Sequence, residues 1–503
     1  MPNPSSSSSS STPSLESIRT SATALLTIVE AVERTAWEVR HAALETVEAG
    51  KRDVERLADA SRSGRRRSLR MTRAAFVLGR IVASYRFHVT RAAFTTKRYS
   101  ARALEALHVK NARLFRELSE ELGGAFLKVG QTLGSRADIL PGVWVRELSG
   151  LQDAAPPEEF SRIRRVLEQE LGAPLDELFE SFEETPVAAA SIGQVHRAIT
   201  KSGEVVAVKV QRPHVDERVE DDLVLLKHFV EALKPSLPPT DFDTIVESLV
   251  RGVKEELDFE LEHERLTLVS AFLNEVPGLC APVPIDALCT RRVLTATFEE
   301  GRKITDVLDE LAARREEEPT VDEEISELLA SAFDAWVRQV LELGVFQADP
   351  HPGNILVKAD GTIVVLDLGC AQDLLKPRRD AYRKLLLAFL VNDRDGVVAR
   401  LEELGFRTKS GQPDTLMLFA DAFLNELRGM LSGEGASWPT ASELLARGKA
   451  LKAQADVDPV ETIPEDFVLL ARVFATLGGL FAAYRPASIG PKLTPRLSRA
   501  LFG

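Results

Sequence analysis

The sequence predicts an α+β fold in which short strands lie among long helices. Two pairs of strand-like stretches carry this prediction: 195–199 with 205–210, and 355–357 with 362–366. β-Branched residues are common in both pairs, and each pair is joined by a short turn that contains glycine, which is typical of a hairpin. Most of the remaining sequence has the apolar spacing of amphipathic helices.

Length and composition narrow the class of protein. The chain has 503 residues, a mass of 55.3 kDa and 44% hydrophobic residues, which favours several domains or one large two-lobed domain. A formal net charge of −13 argues against general nucleic-acid binding. The three cysteines, Cys280, Cys289 and Cys370, lack metal-like spacing and indicate a reducing compartment.

The sequence predicts a cytoplasmic protein that is peripheral on a membrane. It does not open with a charged and then apolar stretch, so no signal peptide is expected. No run of roughly 18 uninterrupted apolar residues occurs, so no transmembrane helix is expected. The nearest candidate, 467–484, contains Arg472 and two glycines and is interpreted as a buried core helix.

The N-terminal region is expected to hold a disordered Ser-rich tail (1–14) and a helical extension (15–104). Twelve basic residues and no acidic residue occur between Arg62 and Arg102. On a helix, Arg73, Arg80 and Arg91 fall on one line, and Leu78, Val82, Tyr85 and Val89 lie opposite. Such a helix suits an anionic membrane surface. It equally suits packing on the protein with a solvated basic face.

The next segment, 105–157, is predicted to be helical, with a Gly-Gly break before the sequence AFLKVGQ. Lys128 and Gln131 are three residues apart and therefore share a helix face. Gly130 permits close approach of another backbone. Taken alone, these residues describe a solvated helix face.

Residues 158–300 are typical of the small lobe of a protein kinase. A loop of small residues precedes the first strand and includes Ala188, Ala189, Ala190, Ser191 and Gly193. The second strand contains Val-Ala-Val-Lys and ends near Lys209. This order matches a hairpin that covers a nucleotide, followed by the strand with the phosphate-binding lysine. The alanines give less backbone freedom than the usual glycines.

A helix expected over 241–276 carries many acidic residues in the sequence KEELDFELEHER. A kinase fold requires one helix carboxylate to pair with Lys209. The spacing does not choose among the acids. A strand at 292–298 and a hinge near 299–301 then lead into the large lobe, 301–392.

The catalytic segment of the large lobe reads DPHPGN, a hairpin, and then DLG. Phosphoryl transfer needs oxygen ligands for magnesium and a carboxylate that orients the attacking hydroxyl. Asn354 and Asp367 fit the first role and Asp349 fits the second. The full prediction is a two-lobed protein-kinase-like fold with an N-terminal helical extension and an all-helical C-terminal extension, 393–503.

Four motifs together resemble the UbiB (AarF) family of atypical protein-kinase-like proteins. They are the lysine-x-glycine-glutamine motif at 128–131, the alanine-rich loop at 188–196, Glu256-Leu-Asp258, and Asp349-Pro-His-Pro-Gly-Asn354. Asp-Leu-Gly stands where Asp-Phe-Gly is commoner. The resemblance covers roughly residues 105–390.

This resemblance implies roles that the spacing alone does not give. Lys128 and Gln131 become part of an insert across the active site, which Glu256 and Asp258 meet, and Glu262 becomes the partner of Lys209. It implies ATP (or ADP) and Mg²⁺ as ligands, ATPase activity, and support of isoprenoid-quinone biosynthesis or lipid homeostasis at a membrane. Implied partners are an anionic membrane surface or isoprenoid lipid and quinone-biosynthesis proteins. An active small-molecule or protein kinase and a non-catalytic lipid-binding scaffold are the alternatives.

Overall fold

The computed structural model describes residues 69–92, 97–134, 140–151, 156–234, 242–318, 320–409, 415–417, 420–421 and 460–502. The predicted tail (1–14), the extension up to residue 68 and the basic residues between 62 and 67 lie outside the described residues.

The described residues form fifteen α-helices and thirteen strands. The helices are α1 (Leu69–Ala92), α2 (Lys97–Leu122), α3 (Gly124–Gly134), α4 (Gly142–Leu148), α5 (Phe160–Leu171), α6 (Leu175–Leu178), α7 (Val215–Leu233), α8 (Phe242–Glu256), α9 (Phe259–Leu273), α10 (Ile304–Arg314), α11 (Val321–Arg338), α12 (Lys376–Leu390), α13 (Arg394–Leu404), α14 (Glu465–Tyr484) and α15 (Ile489–Phe502). The strands are β1 (Phe179–Phe182), β2 (Ala188–Ala189), β3 (Gly193–Thr200), β4 (Val205–Gln211), β5 (Leu279–Cys280), β6 (Val293–Thr297), β7 (Arg302–Lys303), β8 (Val345–Gln347), β9 (Ile355–Val357), β10 (Ile363–Val365), β11 (Ala371–Asp373), β12 (Arg407–Thr408) and β13 (Val460–Thr462).

The chain divides into two compact units. Unit 1 comprises Met1–Asp153 and Glu217–Leu249, and unit 2 comprises Ala154–Asp216 and Val250–Gly503. The sequence had suggested a single small lobe over 158–300. The segment 217–249 groups instead with the N-terminal helices.

Contacts within unit 1 explain this grouping. The Phe229 ring of α7 stacks on the Phe115 ring of α2 with 5.9 Å between centroids. Asp222 of α7 forms a bidentate ion pair with Arg70 of α1 at 2.8 and 2.9 Å. Burial raises the pKa of Asp222 to about 6 against the opposing effect of Arg70.

Helix α1 buries most of the apolar face that the sequence predicted for it, but Val89 of that face is 42% exposed. Leu78, Val82 and Tyr85 are almost fully buried inside unit 1, and the Tyr85 hydroxyl accepts a hydrogen bond from Trp144 at 3.1 Å. This face is therefore used by the protein core, as the packed-helix interpretation expected. The exposed face of α1 carries large apolar residues of its own, since Phe76 is 64% exposed and Phe87 is 65% exposed.

Unit 2 contains the predicted kinase-like strands. One sheet has the order β1-β3-β4-β6, with β2 paired to β3. The predicted hairpin at 195–210 is confirmed, and Lys209 lies opposite Val195 and Leu294 in the sheet register. Helix α5 packs on one face of this sheet over a core that includes Val206, Val208 and Val210.

A second sheet of unit 2 has the order β5-β10-β9-β7. The predicted hairpin at 355–366 is confirmed, because β9 and β10 pair antiparallel with Val364 opposite Leu356. Gly361 in its turn has φ +86°, a left-handed conformation that favours glycine. Strand β11 pairs with β8, so the chain after Asp-Leu-Gly returns beside the catalytic loop.

Two predicted helical stretches differ in the structure. The stretch 241–276 is two helices, because the Asp258 side chain accepts hydrogen bonds from the backbone amides of Glu260 and Leu261 and so starts α9. The C-terminal extension is not all-helical, because β12 and β13 pair antiparallel. β12 begins just after Gly405, whose φ of +98° ends α13.

Within the described residues, α14 is the one helix long and apolar enough to cross a membrane by length and composition, and 28% of its most apolar window is buried. It packs on the rest of unit 2 through Val473, Leu477 and Phe481, which are nearly fully buried. The Tyr484 hydroxyl at its end donates to Asp309 at 2.7 Å. The helix is therefore docked on the protein along one side, and the interpretation of 467–484 as a buried core helix is wrong for most of its length.

Candidate nucleotide site

The alternation of strand β4 places Lys209 in the site. Val206, Val208 and Val210 point into the core under α5, so Lys209 projects from the opposite face of the sheet. Its ammonium lies 5.1 Å from the centroid of the Phe259 ring. Phe259 is fully buried at the start of α9, so an apolar wall stands beside the charge.

Glu262 meets Lys209 from the first turn of α9. The Lys209 Nζ lies 2.7 Å from Glu262 Oε1 and 2.8 Å from Oε2. The carboxylate is nearly fully buried. The cap at Asp258 fixes where α9 begins and therefore which acid of the segment faces the lysine, a choice that the spacing had left open.

Asp367 completes a three-residue cluster with Lys209 and Glu262. Its Oδ1 lies 3.0 Å from Lys209 Nζ. The backbone of Asp367 has φ +54°, a left-handed conformation that is uncommon for a residue other than glycine. Such conformations concentrate at functional sites, where the surrounding structure holds them.

The cluster carries more negative than positive charge. Burial lowers the pKa of Lys209, but the carboxylates of Asp367 and Glu262 outweigh it and leave the pKa above its ordinary value. Burial and the nearby Asp367 raise the pKa of Glu262 to about 7, although Lys209 acts in the other direction. One ammonium thus serves two carboxylates, and a further cation would be stabilised here.

Gly369 leaves room for the two carboxylates. A Cβ at this position would lie 3.2 Å from Asp367 Oδ1 and 3.3 Å from Glu262 Oε2. The Gly369 amide also donates to Asp367 Oδ1 at 3.2 Å. Leu368 between them is buried, as expected for a packing residue in place of phenylalanine.

Gln347 joins the segment that begins at Asp349 to the segment that begins at Asp367. Its side-chain amide donates to the Asp349 carbonyl at 2.5 Å and, more weakly, to the Asp367 carbonyl at 3.4 Å. Its own backbone is fixed by Gln339 and by Trp336, whose indole donates to the Gln347 carbonyl at 2.8 Å. A buried network of this kind holds both loops in one arrangement.

Asn354 lies at the end of a short 3-10 helix, Pro352–Asn354. Its carbonyl accepts a hydrogen bond from the Leu366 amide at 2.9 Å, and its side-chain amide donates to the Asp349 carbonyl at 3.4 Å. The hairpin therefore brings Asn354 next to the residue that precedes Asp367.

The alanine-rich loop is a tight turn between β2 and β3. The Ala190 amide donates to the Gly193 carbonyl at 2.8 Å, and Arg212 Nε donates to the Ala190 carbonyl at 2.9 Å. A Cβ on Gly193 would lie 2.7 Å from the Val210 carbonyl oxygen. Ala188 and Ala189 form β2, and Ser191 is buried at the tip of the turn.

The other predicted site residues have different surroundings. Lys128 and Gln131 lie on α3 of unit 1. The predicted close approach of a backbone at Gly130 is not seen, because the atoms nearest to an added Cβ would be side-chain atoms of Leu151, at 2.6 Å, and Ser119, at 3.3 Å. The role of Lys128 and Gln131 as an insert over the nucleotide stays a prediction. Glu256 is buried at the end of α8. The Asp258 carboxylate serves as a helix cap.

Sequence reasoning missed three residues that the structure brings to the site. Gln347 had no signal beyond being polar in an apolar strand. Arg265, one turn after Glu262 on α9, pairs with Asp373 of β11 at 3.1 Å and ties α9 to the strand that follows Asp-Leu-Gly. Arg472 of α14 lies 3.1 Å from Asp349 Oδ1. Its position inside an apolar helix was the available signal.

The donors present fit a magnesium ion that is shared with a nucleotide. Among the described residues no group of three or more His, Cys, Asp or Glu side chains could hold a metal by itself. Mg²⁺ commonly binds one or two protein oxygens and completes its shell with phosphate oxygens and water. Asp367 and Asn354 supply such oxygens beside a cluster with surplus negative charge.

Comparison with known proteins gives consistent matches. The family pattern described as the ABC1 atypical kinase-like domain matches residues 150–401. The chloroplastic protein Activity of bc1 complex kinase 7 of Arabidopsis thaliana is 31% identical over 77% of this chain and 53% of its own length. The AarF domain-containing protein kinase 1 of Gallus gallus is 34% identical over 59% of this chain and 57% of its own length. The chain spans about half the length of these curated relatives.

A solved structure is also similar. The Mycobacterium tuberculosis protein Rv3197, in complex with erythromycin, aligns with a TM-score of 0.54 and 26% identity over 81% of this chain and 98% of its own. The kinase-like α+β fold is therefore shared with a solved relative.

Proposed function

Because this chain belongs to the UbiB/AarF family of proteins with an ABC1 atypical kinase-like domain, we propose that it binds ATP with Mg²⁺ at the Lys209–Glu262–Asp367 cluster and hydrolyses or transfers the γ-phosphoryl group. The observation that carries the proposal is the bridge from Lys209 to both carboxylates. A protein that only kept the fold would not need a charged, partly buried cluster that costs desolvation energy.

Each residue of the cluster has one task in this proposal. Lys209 binds the α- and β-phosphates, and Glu262 keeps it aimed at them. Asp367 and Asn354 would hold Mg²⁺, which supplies charge neutralisation for the phosphates. Asp349 orients the attacking water or hydroxyl. The turn that contains Ala190 and Gly193 covers the phosphates with backbone amides.

Thermal unfolding tests the binding step. A ligand at 100 times its dissociation constant stabilises the folded protein by about 2.7 kcal/mol, which shifts the midpoint by a few degrees. We expect ATP with Mg²⁺ to produce this shift in the wild type and not in Asp367→Asn. The exposed Asp395 gives a matched control, since Asp395→Asn should keep the shift. No shift in the wild type would contradict nucleotide binding and favour the scaffold alternative.

Turnover separates the two enzymatic forms of the proposal. Release of inorganic phosphate from ATP without an added acceptor supports an ATPase. Transfer of labelled phosphate to an added small molecule or protein, at a rate well above hydrolysis, supports a kinase. The Asp349→Asn variant, which keeps the nucleotide cluster intact, should retain only residual turnover in either assay while keeping the thermal shift.

We propose that the exposed face of α1 contacts the membrane. Phe76 and Phe87 are 11 residues apart and so lie within about 20° of each other around the helix, and Arg80 lies between them along the same face. Exposed aromatic rings among arginines suit the interface of an anionic bilayer. The opposite face of α1, with Leu78 and Val82, is not available for membrane contact, because those residues are buried in the core of unit 1.

Sedimentation with phosphatidylglycerol vesicles tests this face. The double variant Phe76→Ser/Phe87→Ser should lose most of its binding, and Arg80→Glu should weaken binding most at low salt. Phe502, exposed on α15, gives the control Phe502→Ser, which should bind as the wild type does. Equal losses in all three variants, or none, would place membrane contact elsewhere.

Support of isoprenoid-quinone or lipid metabolism is the cellular part of the proposal, and it rests on family membership. We expect the chain to restore quinone content in cells that lack their own member of the family. Asp367→Asn should fail to do so. Restoration by Asp367→Asn as complete as by the wild type would mean that the cellular role does not need the nucleotide site.

A further inference from the structure

The arginine of α14 contacts the catalytic-loop aspartate. Arg472 lies 3.1 Å from Asp349 Oδ1, and the two side chains are 28% and 41% exposed. The carboxylate thus has one oxygen engaged by a cation and part of its surface open to solvent. Nothing in the catalytic motif itself supplies a lysine or an arginine, since it reads DPHPGN.

Helix α14 holds this arginine in a fixed place. Phe333 of α11 packs against Phe474 and Phe481 of α14, with ring centroids 5.6 and 6.0 Å apart. At the start of the helix, Asp466 accepts a hydrogen bond from Arg378 Nε at 2.8 Å. At its end, Tyr484 is tied to Asp309. The guanidinium therefore extends from a helix anchored along its length.

The Asp349 carboxylate makes an ion-pair contact with Arg472. The Asp349 backbone is already fixed, because its carbonyl accepts from Gln347 and from the His351 amide at 2.7 Å. Within the part of the chain that the structure describes, Arg472 is the one partner recorded for the carboxylate oxygens. A carboxylate that is held at one oxygen presents the other in a defined direction.

We propose that Arg472 is a positioning residue for Asp349, a role that rests on the proposed phosphoryl chemistry. Arg472 holds Oδ1 and leaves Oδ2 to accept a proton. In the step itself, the nucleophile's oxygen bonds to the γ-phosphorus and the bond from that phosphorus to the β,γ-bridging oxygen breaks. ADP leaves with the electron pair of the broken bond, and the nucleophile's proton passes to Asp349 Oδ2.

Charge gives a second reason for this pairing. Lys209 already serves two carboxylates, so it has no surplus charge for the catalytic loop. A guanidinium beside Asp349 offsets that carboxylate's negative charge and lowers its repulsion of the polyphosphate. Arginine suits the task because its planar fork engages a carboxylate in a defined geometry and stays charged.

A double-mutant cycle of ATP turnover tests the proposal. The variants are Arg472→Gln, Arg472→Lys, Asp349→Asn and Arg472→Gln/Asp349→Asn, assayed with ATP and Mg²⁺. We expect Arg472→Gln to lower kcat about 10- to 100-fold, because a catalytic group misplaced by about 1 Å can cost up to about 100-fold. Arg472→Lys should recover part of the loss. In the Asp349→Asn background, Arg472→Gln should cause no further loss. Arg499→Gln, an exposed arginine change on α15, should leave kcat unchanged.

Nucleotide binding distinguishes a positioning role from a structural one. If Arg472 only held α14 in place, its replacement would also reduce the thermal shift with ATP and Mg²⁺. The thermal shift with ATP and Mg²⁺ should be the same in Arg472→Gln as in the wild type, because Lys209, Glu262 and Asp367 are untouched. A loss of both shift and turnover in Arg472→Gln and Arg472→Lys alike would mean that Arg472 only holds α14 in place, and would overturn the proposal.

Three other outcomes would also overturn it. An equal loss of kcat in both backgrounds would mean that Arg472 does not act through Asp349. A rise in kcat for Arg472→Gln would mean that the contact restrains the enzyme. Absence of turnover in the wild type would remove the proposed function together with this inference, whereas the first two outcomes leave the proposed function intact.

Discussion

Asp367 reaches the ammonium of Lys209 at 3.0 Å from a backbone in the left-handed region, with φ +54°. The lysine simultaneously contacts both oxygens of Glu262. Strand β4, helix α9 and the Asp-Leu-Gly segment are thereby joined through one cation. The stability of the cluster and its proposed nucleotide binding consequently depend on the same three side chains.

Replacing Lys209 alone should destabilise the protein more than replacing both Lys209 and Glu262. Lys209→Met leaves the buried Glu262 carboxylate without its cation, and the loss of one partner of a buried pair costs about 3 kcal/mol. The double variant Lys209→Met/Glu262→Gln should recover most of this loss, because no buried charge remains. Denaturant unfolding measures both. A double variant as unstable as Lys209→Met would show that the lost stability does not come from an uncompensated Glu262 carboxylate.

Stability should fall as the pH rises through the range set by Glu262. Its pKa is raised from about 4.5 in the unfolded chain to about 7 in the folded protein, so the folded state holds a proton that the unfolded state has released. The free energy of unfolding then decreases with pH between about 4.5 and 7, by at most about 1.4 kcal/mol per pH unit.

Two variants identify the group that causes this slope. Glu262→Gln should flatten the profile between about pH 4.5 and 7. Asp222→Asn should remove a separate decrease between about pH 4 and 6, because the pKa of Asp222 is raised to about 6 by burial. If Glu262→Gln unfolds with the wild-type pH dependence, the proton sits elsewhere in the cluster.

The kinase-like elements could be predicted because their signals are local. Hairpins follow from β-branched runs around glycine turns, and the order of Lys209, Asp349, Asn354 and Asp367 carries the site. The partner of Lys209 could not be chosen from spacing, because six acids share one segment and only the Asp258 cap decides where α9 begins. That cap breaks a stretch whose composition reads as one continuous helix.

Contacts between segments that are distant in the sequence could not be predicted, for a different reason. Arg472 and Asp349 meet because α14 packs on α11, and no local pattern records that packing. The grouping of 217–249 with unit 1 depends likewise on Phe229 meeting Phe115. Apolar spacing shows that a helix has a buried face but does not show which element buries it.

Gln347 should be required for the arrangement of both loops. Gln347→Leu removes the donor to the Asp349 carbonyl and leaves that carbonyl without its short 2.5 Å partner. Because the Asp349 carbonyl keeps its hydrogen bond from the His351 amide at 2.7 Å, the lost hydrogen bond should cost about 1 kcal/mol. Turnover should fall further because Asp349 and Asp367 lose a common anchor. Unfolding and turnover are measured together.

Trp336→Phe provides the comparison for Gln347. This change removes the indole donor to the Gln347 carbonyl and keeps most of the ring's packing, so it should cost stability with a smaller effect on turnover. If Gln347→Leu matches Trp336→Phe in both measurements, Gln347 is a core residue and does not organise the loops.

Gly369→Ala should separate nucleotide binding from folding. The new Cβ would stand 3.2 Å from Asp367 Oδ1 and 3.3 Å from Glu262 Oε2, tighter than ordinary van der Waals contact. The carboxylates must give way by a few tenths of an ångström, and Asp367 moves more easily because it is about half exposed. Since the position has an ordinary negative φ, the backbone itself accepts alanine.

We therefore expect a small change in the unfolding midpoint of Gly369→Ala and loss of most of the shift with ATP and Mg²⁺. Gly478→Ala on α14 is the control, because a Cβ there meets nothing within 4 Å and alanine favours a helix. A full nucleotide shift in Gly369→Ala would mean that the cluster does not need its observed geometry to bind the nucleotide.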